Sequence, residues 1–319
     1  MLTLANPPNR IRTTQNLLLT TGADAKSCAA QFSVKPIRSP IMAKVKVGDI
    51  NLSFEVEGEG PPLVIVNGGG ASVAQMKEIG ANDQKILGAG YKLIRFDNRG
   101  IPPSDAPSPP YTINQMADDT IGLLEYLDLG PYNMMGESMG GLITQTVAVK
   151  RPDLVNSAIF IAGIGNSPVF AKIISQAYLD LLENPDIPTS ILKALMLINS
   201  IPQHHWDNDD IVSQTLEVLS GFISVSSNQN VLGHSTASCN WMKEDHMSEL
   251  ADLKAPVLAI ANEFDINFPP SFVKKAVSKI PNAEYVEIKG APHVSMNPEH
   301  REKIISTVLD FLSRRTSKR

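Results

Sequence analysis

The sequence predicts an α/β protein: a mostly parallel, eight-stranded sheet with helices on both faces and a helical cap. Three observations predict it. Apolar runs of strand length alternate with helical patterns from residue 42 onward, the signature of a sheet covered on two sides. One such run turns directly into a helical pattern at Gly136-Glu137-Ser138-Met139-Gly140, a Gly-x-Ser-x-Gly pentad. Residues 164 to about 250 then break the rhythm with several helical patterns and no clear strand, which reads as an insertion over the strand ends.

Taken in order, residues 1–41 lack sustained periodicity and carry Asp24 as their one acidic residue. They read as a disordered extension or as a start upstream of Met42. Leu17-Leu18-Leu19 is too short for a secretory apolar core, although the Ser, Thr and Arg content has the flavour of a transit peptide. From Met42 the pattern is regular through residue 319. Ala43–Val47 and Ile50–Val56 alternate around Gly48-Asp49, a hairpin signal. Leu63–Val66 is continuously apolar, as a strand buried on both faces should be. It runs into Asn67-Gly68-Gly69-Gly70. Residues 73–89 read as helix and Tyr91–Phe96 as a strand leading to Asp97-Asn98-Arg99-Gly100.

After a proline-rich loop, Thr112 and Gln115 form a capping-box pattern that opens a helix to about Leu129. Tyr132–Met135 is the strand before the pentad, and the helix after it stops at Pro152. Val155–Ala162 is the next strand. Within the insertion, Ile173–Leu182, Ile191–Ile198 and Ile211–Val225 have helical spacing. The alternation resumes with a strand at Val257–Ile260, a helix at Ser271–Ile280, a strand at Ala283–Ile288 and an amphipathic helix at Pro298–Arg314.

Composition excludes several classes. The net charge is −5, which gives no electrostatic footprint for nucleic acid. No apolar run approaches the length of a membrane span. Two cysteines, Cys28 and Cys239, make no disulfide framework, and a reduced cytoplasmic setting fits them. His204-His205 with Asp207, Asp209 and Asp210 matches no metal-site spacing, so a solvated loop is expected and neither metal nor cofactor is implied.

The candidate chemistry starts from Ser138. A serine hydroxyl needs a base to take its proton and a third group to orient that base. Asp265 and His293 each follow a predicted strand, so both fall at the same sheet edge as Ser138, in the order Ser, Asp, His. Glu263 is an alternative acid and His300 an alternative base, the latter inside the last helical pattern. His234 and His246 fall in the insertion, where packing or surface roles are expected. Donors for a developing oxyanion are expected at the backbone of Met139 and in the glycine run, at Gly69. A phosphate cradle is disfavoured, since no Lys-Ser or Lys-Thr follows those glycines.

From Met42 to the C-terminus the chain resembles the α/β-hydrolase superfamily, in its lid-bearing esterase, haloperoxidase-like and C–C hydrolase branch. The resemblance rests on Asn67-Gly68-Gly69-Gly70, Asp97-Asn98-Arg99-Gly100, Gly136 to Gly141, Asp265 with Pro269, and His293. It implies Ser138 as nucleophile, His293 as base, Asp265 as orienting acid, and Met139 and Gly69 as oxyanion donors. It implies a structural role for Asp97 and Arg99. Three positions depart from the usual pattern: Asn67 where histidine is frequent, Pro102-Pro103 in place of a glycine-containing turn, and Ala291-Pro292 before His293.

The reading that follows is a serine hydrolase cleaving a carboxylic ester, thioester or lactone, on a small molecule with an apolar portion. Two alternatives keep the same pocket: a natural-product lyase or cyclase using His293 as general base, and a ligand receptor on a hydrolase scaffold. Epoxide hydrolase and dehalogenase chemistry is disfavoured, because both need a carboxylate where Ser138 stands.

Overall fold

A computed structural model describes residues 42–78, 83–184, 186–226 and 229–316. The expectations placed on residues 1–41 lie outside the described residues. Strands β1 (Ala43–Val47) and β2 (Ile50–Glu57) form the expected hairpin. They are followed by β3 (Pro62–Val66), helices α1 (Val73–Glu78) and α2 (Asp83–Gly88), and β4 (Lys92–Asp97). The single helix expected at 73–89 is therefore two helices, with residues 79–82 between them not described.

Helix α3 (Ile113–Leu127) opens with the foreseen capping box. The Thr112 hydroxyl accepts the Gln115 N–H at 3.1 Å, and the Gln115 side chain accepts the Thr112 N–H at 3.0 Å. Then come β5 (Tyr132–Glu137), α4 (Met139–Lys150) and β6 (Val155–Ile161). Among the described residues, four α-helices separate β6 from the next strand: α5 (Val169–Glu183), α6 (Thr189–Ser200), α7 (Asp209–Ser226) and α8 (Gln229–Trp241). The chain finishes with β7 (Val257–Phe264), α9 (Pro270–Val277), β8 (Ala283–Pro292) and α10 (Pro298–Thr316).

The eight strands form one sheet in the order β1-β2-β4-β3-β5-β6-β7-β8. β2 pairs antiparallel with β1 and β4, and every later pairing is parallel. Side chains alternate between two cores, as period-two strands require. Val64, Met134 and Ala259 point to the face covered by α3, α4 and α9, while Leu63, Met135 and Leu258 point to the face covered by α2 and α10.

β7 and β8 run four residues beyond the apolar stretches that announce them. Their register continues through Asn262↔Ile288 to Phe264↔Pro292, and Glu263 accepts the Gly290 N–H at 2.9 Å. Polar side chains at these positions hide the strand from a hydrophobicity reading, but the ladder carries on because the backbone pairs regardless.

Candidate active site

The turn from β5 into α4 is as tight as the pentad demands. Ser138 sits at φ 53°, ψ −121°, a conformation that L residues rarely adopt. Glycine is required around it by contact rather than preference. A Cβ on Gly136 would lie 2.2 Å from the Gly140 carbonyl oxygen, and one on Gly140 would lie 2.0 Å from that of Val66. These approaches press α4 against β3 and β5 and lift the serine above the sheet edge.

Three chain-distant residues meet there. Ser138 Oγ lies 3.0 Å from His293 Nε2, and His293 Nδ1 lies 2.8 Å from Asp265 Oδ2. The second carboxylate oxygen, Oδ1, accepts the N–H groups of Asn267 and Phe268, both at 2.8 Å. With its side chain fully enclosed, Asp265 is held in one orientation. An ionised carboxylate only accepts, so Nδ1 of His293 carries the proton. Nε2 then presents its lone pair to the Ser138 hydroxyl. The loop bearing His293 is held by Asn262, whose amide donates to the Pro292 carbonyl at 2.9 Å.

The electrostatics favour a basic imidazole. Burial alone would depress the His293 pKa, but the charge and hydrogen bond of Asp265, with the charge of Glu137, outweigh it and raise the pKa above the ordinary histidine value.

Met139 is the first residue of α4, so its N–H has no acceptor within the helix. Opposite lies the glycine loop. The position a Gly68 Cβ would take is 3.4 Å from the Ser138 Cβ, and that of Gly69 is 3.7 Å from the Met139 sulfur. Gly69 and Met139 thus border the space above Ser138.

The loop is held by a residue that sequence reasoning had assigned to packing or surface. His234, on α8, is completely buried. Its Nδ1 accepts the Gly70 N–H at 2.9 Å, and its Nε2 donates to the Arg99 carbonyl at 2.7 Å. Burial lowers its pKa to about 4, so the ring is neutral. No local signal marks it, because both partners are backbone atoms far away in the chain.

The alternative acid and base fall elsewhere. Glu263 is spent on the Gly290 N–H and on Lys289, at 3.1 Å. His300 pairs through Nδ1 with the Ser295 hydroxyl at 2.7 Å. His246 stacks on Trp241 and pairs with Glu249 at 3.0 Å. His204 lies against His205 and Phe264, and Trp206 is half exposed. The side chain of Phe222 lies outside the described residues. No group of three or more potential metal ligands occurs among the described residues.

Asp97 and Arg99 serve the scaffold. Arg99 holds Asp119 through two hydrogen bonds at 2.6 and 2.8 Å, and Asp97 accepts the Val73 N–H at 2.7 Å. Burial, reinforced by nearby Glu55, outweighs the Val73 hydrogen bond and Lys77, and lifts Asp97 to a pKa of about 6.

Ser138 and His293 open into a cavity of about 300 Å³. Its far walls come from the helices between β6 and β7 and are mainly apolar, with Ile174, Leu195, Met196, Leu219, Val231 and Met242 among them. No helix among the described residues is long and apolar enough to cross a membrane.

Comparison with known proteins agrees with this architecture. The provisionally named non-heme bromoperoxidase BpoC of Mycobacterium tuberculosis H37Rv is 27% identical over 267 residues, covering 83% of this chain and 98% of that protein. Its crystal structure superimposes with a TM-score of 0.74 over 83% of this chain and 96% of that one, at 25% identity. The 2-(acetamidomethylene)succinate hydrolase of Mesorhizobium japonicum is 25% identical over 278 residues, 85% of this chain and 95% of that protein. The enol-lactonase of Burkholderia xenovorans LB400 shares the fold, with a TM-score of 0.68 at 23% identity over 85% of this chain and 100% of that one. Residues 61–297 match the family described as alpha/beta hydrolase fold, and the chain belongs to that family.

Proposed function

We propose that this protein is a serine hydrolase that cleaves a carboxylic ester, thioester or lactone through an acyl-enzyme on Ser138. The observation that carries the reading is the unbroken chain from Ser138 Oγ through His293 to Asp265, at 3.0 and 2.8 Å.

In this reading Ser138 Oγ attacks the carbonyl carbon while its proton passes to His293 Nε2. The oxygen that gains the negative charge faces the N–H groups of Met139 and Gly69. Such donors are typically worth about 10²–10³ in rate each, because they are already oriented. Asp265 holds the imidazole in the required tautomer and balances its positive charge. His293 returns the proton to the departing alkoxide or thiolate, or to the ring oxygen of a lactone. A water molecule, deprotonated by the same Nε2, then attacks the acyl carbon; the bond to Ser138 Oγ breaks, Nε2 returns the proton to that oxygen, and the acid is released. No step draws on a cofactor. The helices α5–α8 act as a cap whose apolar walls take the hydrophobic part of a small-molecule substrate. The hydrolase name of the Mesorhizobium relative supports chemistry that ends in attack by water.

A fluorophosphonate probe tests the nucleophile, with mass spectrometry locating the label. Hydrolysis in H₂¹⁸O tests the role of water, since one heavy oxygen should enter the product acid. Label at Ser138 with isotope in the product is expected. An unlabelled Ser138, or a product formed by elimination or cyclisation without solvent oxygen, would overturn the proposal.

A further inference from the structure

Helix α10 turns Ile305, Val308, Phe311 and Leu312 into the core beneath the sheet. One turn before Ile305, the same stripe reaches Arg301, where helical spacing calls for an apolar side chain. Arg301 lines the cavity that contains Ser138 and His293, and also a smaller cavity of about 90 Å³ beside it.

Among the described residues, the lack of a carboxylate partner sets its side chain apart. The other arginines among the described residues are all paired with carboxylates. Arg95 meets Glu55, Glu57 and Asp83; Arg99 meets Asp119; Arg151 meets Glu125 and Asp153; Arg314 and Arg315 meet Glu284. Among the described residues no carboxylate lies within ion-pair distance of Arg301, Glu137 in the lining of the same cavity included. A partly buried guanidinium whose donors meet no carboxylate among the described residues suits a group whose counter-charge arrives with a ligand.

We infer that Arg301 is an anion anchor of the Ser138 pocket, and that the substrate carries one carboxylate beside its apolar portion. The planar fork of the guanidinium matches the two oxygens of a carboxylate. A single cation neutralises a single charge, and Glu137 adds negative charge to the lining of the same cavity, so a phosphate dianion is disfavoured. Naming an ester as the carrier rests on the serine-hydrolase reading; the capture of an organic carboxylate does not.

The test separates the two. The Ser138→Ala protein is titrated calorimetrically with monobutyl glutarate, a monoanion, and with methyl butyl glutarate, its neutral analogue. The monoanion should bind about tenfold more tightly. Adding Arg301→Gln should shrink that preference to within about twofold, and Arg301→Lys should retain part of it. Equal binding of the two ligands with Arg301 in place, or a preference that survives Arg301→Gln, overturns the inference. Native protein is assayed in parallel on p-nitrophenyl butyrate and p-nitrophenyl hydrogen glutarate. Turnover of neither ester counts against the hydrolase reading, while the calorimetric comparison still decides Arg301.

Discussion

The Gly70 N–H donates to Nδ1 of His234 across 2.9 Å, joining the loop after β3 to helix α8. The opposite ring nitrogen donates to the Arg99 carbonyl, so a single imidazole spans two loops of the sheet edge and a helix inserted much later in the chain. His234→Ala leaves a partly buried N–H and a buried carbonyl without partners and lets the glycine loop drift from Ser138. The expected result is a fall in kcat of about 10–100-fold, a fraction of what a whole oxyanion donor supplies. KM should change far less. Steady-state kinetics on one ester check the split, and a kcat equal to that of the native protein would show that His234 only packs.

The same histidine and Asp97 make opposite contributions to stability against pH. Between about pH 4 and 6.5, His234 is protonated in the unfolded chain and neutral in the folded one. Stability from this residue is therefore complete above the unfolded pKa and is lost as pH falls toward 4. Between about pH 3.8 and 6, Asp97 is ionised when unfolded and protonated when folded. Its contribution runs the other way and declines as pH rises. His234→Gln should make stability fall with pH across this window relative to the native protein, and Asp97→Asn should make it rise. Urea unfolding at half-unit pH steps resolves both slopes.

Two carboxylates lie two residues apart at the end of β7, yet only one faces the imidazole. Asp265→Asn removes the charge and allows the wrong tautomer of His293, and should lower kcat by about 10³–10⁴. Glu263→Gln loses a link to Lys289 at the surface, and should leave kcat within about threefold. The pair of variants, measured on one substrate, assigns the acid; equal losses would place both residues in the reaction.

Because Asp265 and Glu137 lift the His293 pKa, the acid limb of kcat/KM should have its midpoint above the ordinary imidazole value near 6.5. Activity is lost as pH drops through that midpoint, since a protonated ring cannot take the Ser138 proton. Glu137→Gln should move the midpoint to lower pH by removing one of the charges that raise it. A pH–rate profile of the two proteins reads the shift, and an unchanged midpoint would remove Glu137 from the account.

Much of this architecture is legible in the amino-acid sequence. The meeting of Ser138, Asp265 and His293 follows from where each stands: directly after a strand of a parallel sheet, hence at one edge. The pentad could be recognised because steric contact leaves no residue but glycine at Gly136 and Gly140. Helix α8 was not foreseen, since Gly233, Ser235, Thr236 and Ser238 are weak helix formers and its apolar residues follow no clean stripe. His234 stayed hidden for a related reason. Its two partners are main-chain atoms 164 and 135 positions away, and no residue type announces a contact with a backbone amide. Arg301 could have been found, as a cation at an apolar register position, but only the fold shows which cavity that position borders.

The bond between His234 and Gly70 also limits how this enzyme family member can be re-engineered. Grafting the helical segment of a cousin onto this scaffold, to borrow its selectivity, would discard the imidazole that steadies the host's own loop. Such chimeras should bind the new compound and turn it over slowly until a histidine is restored at the equivalent point, so selectivity and turnover are inherited together here.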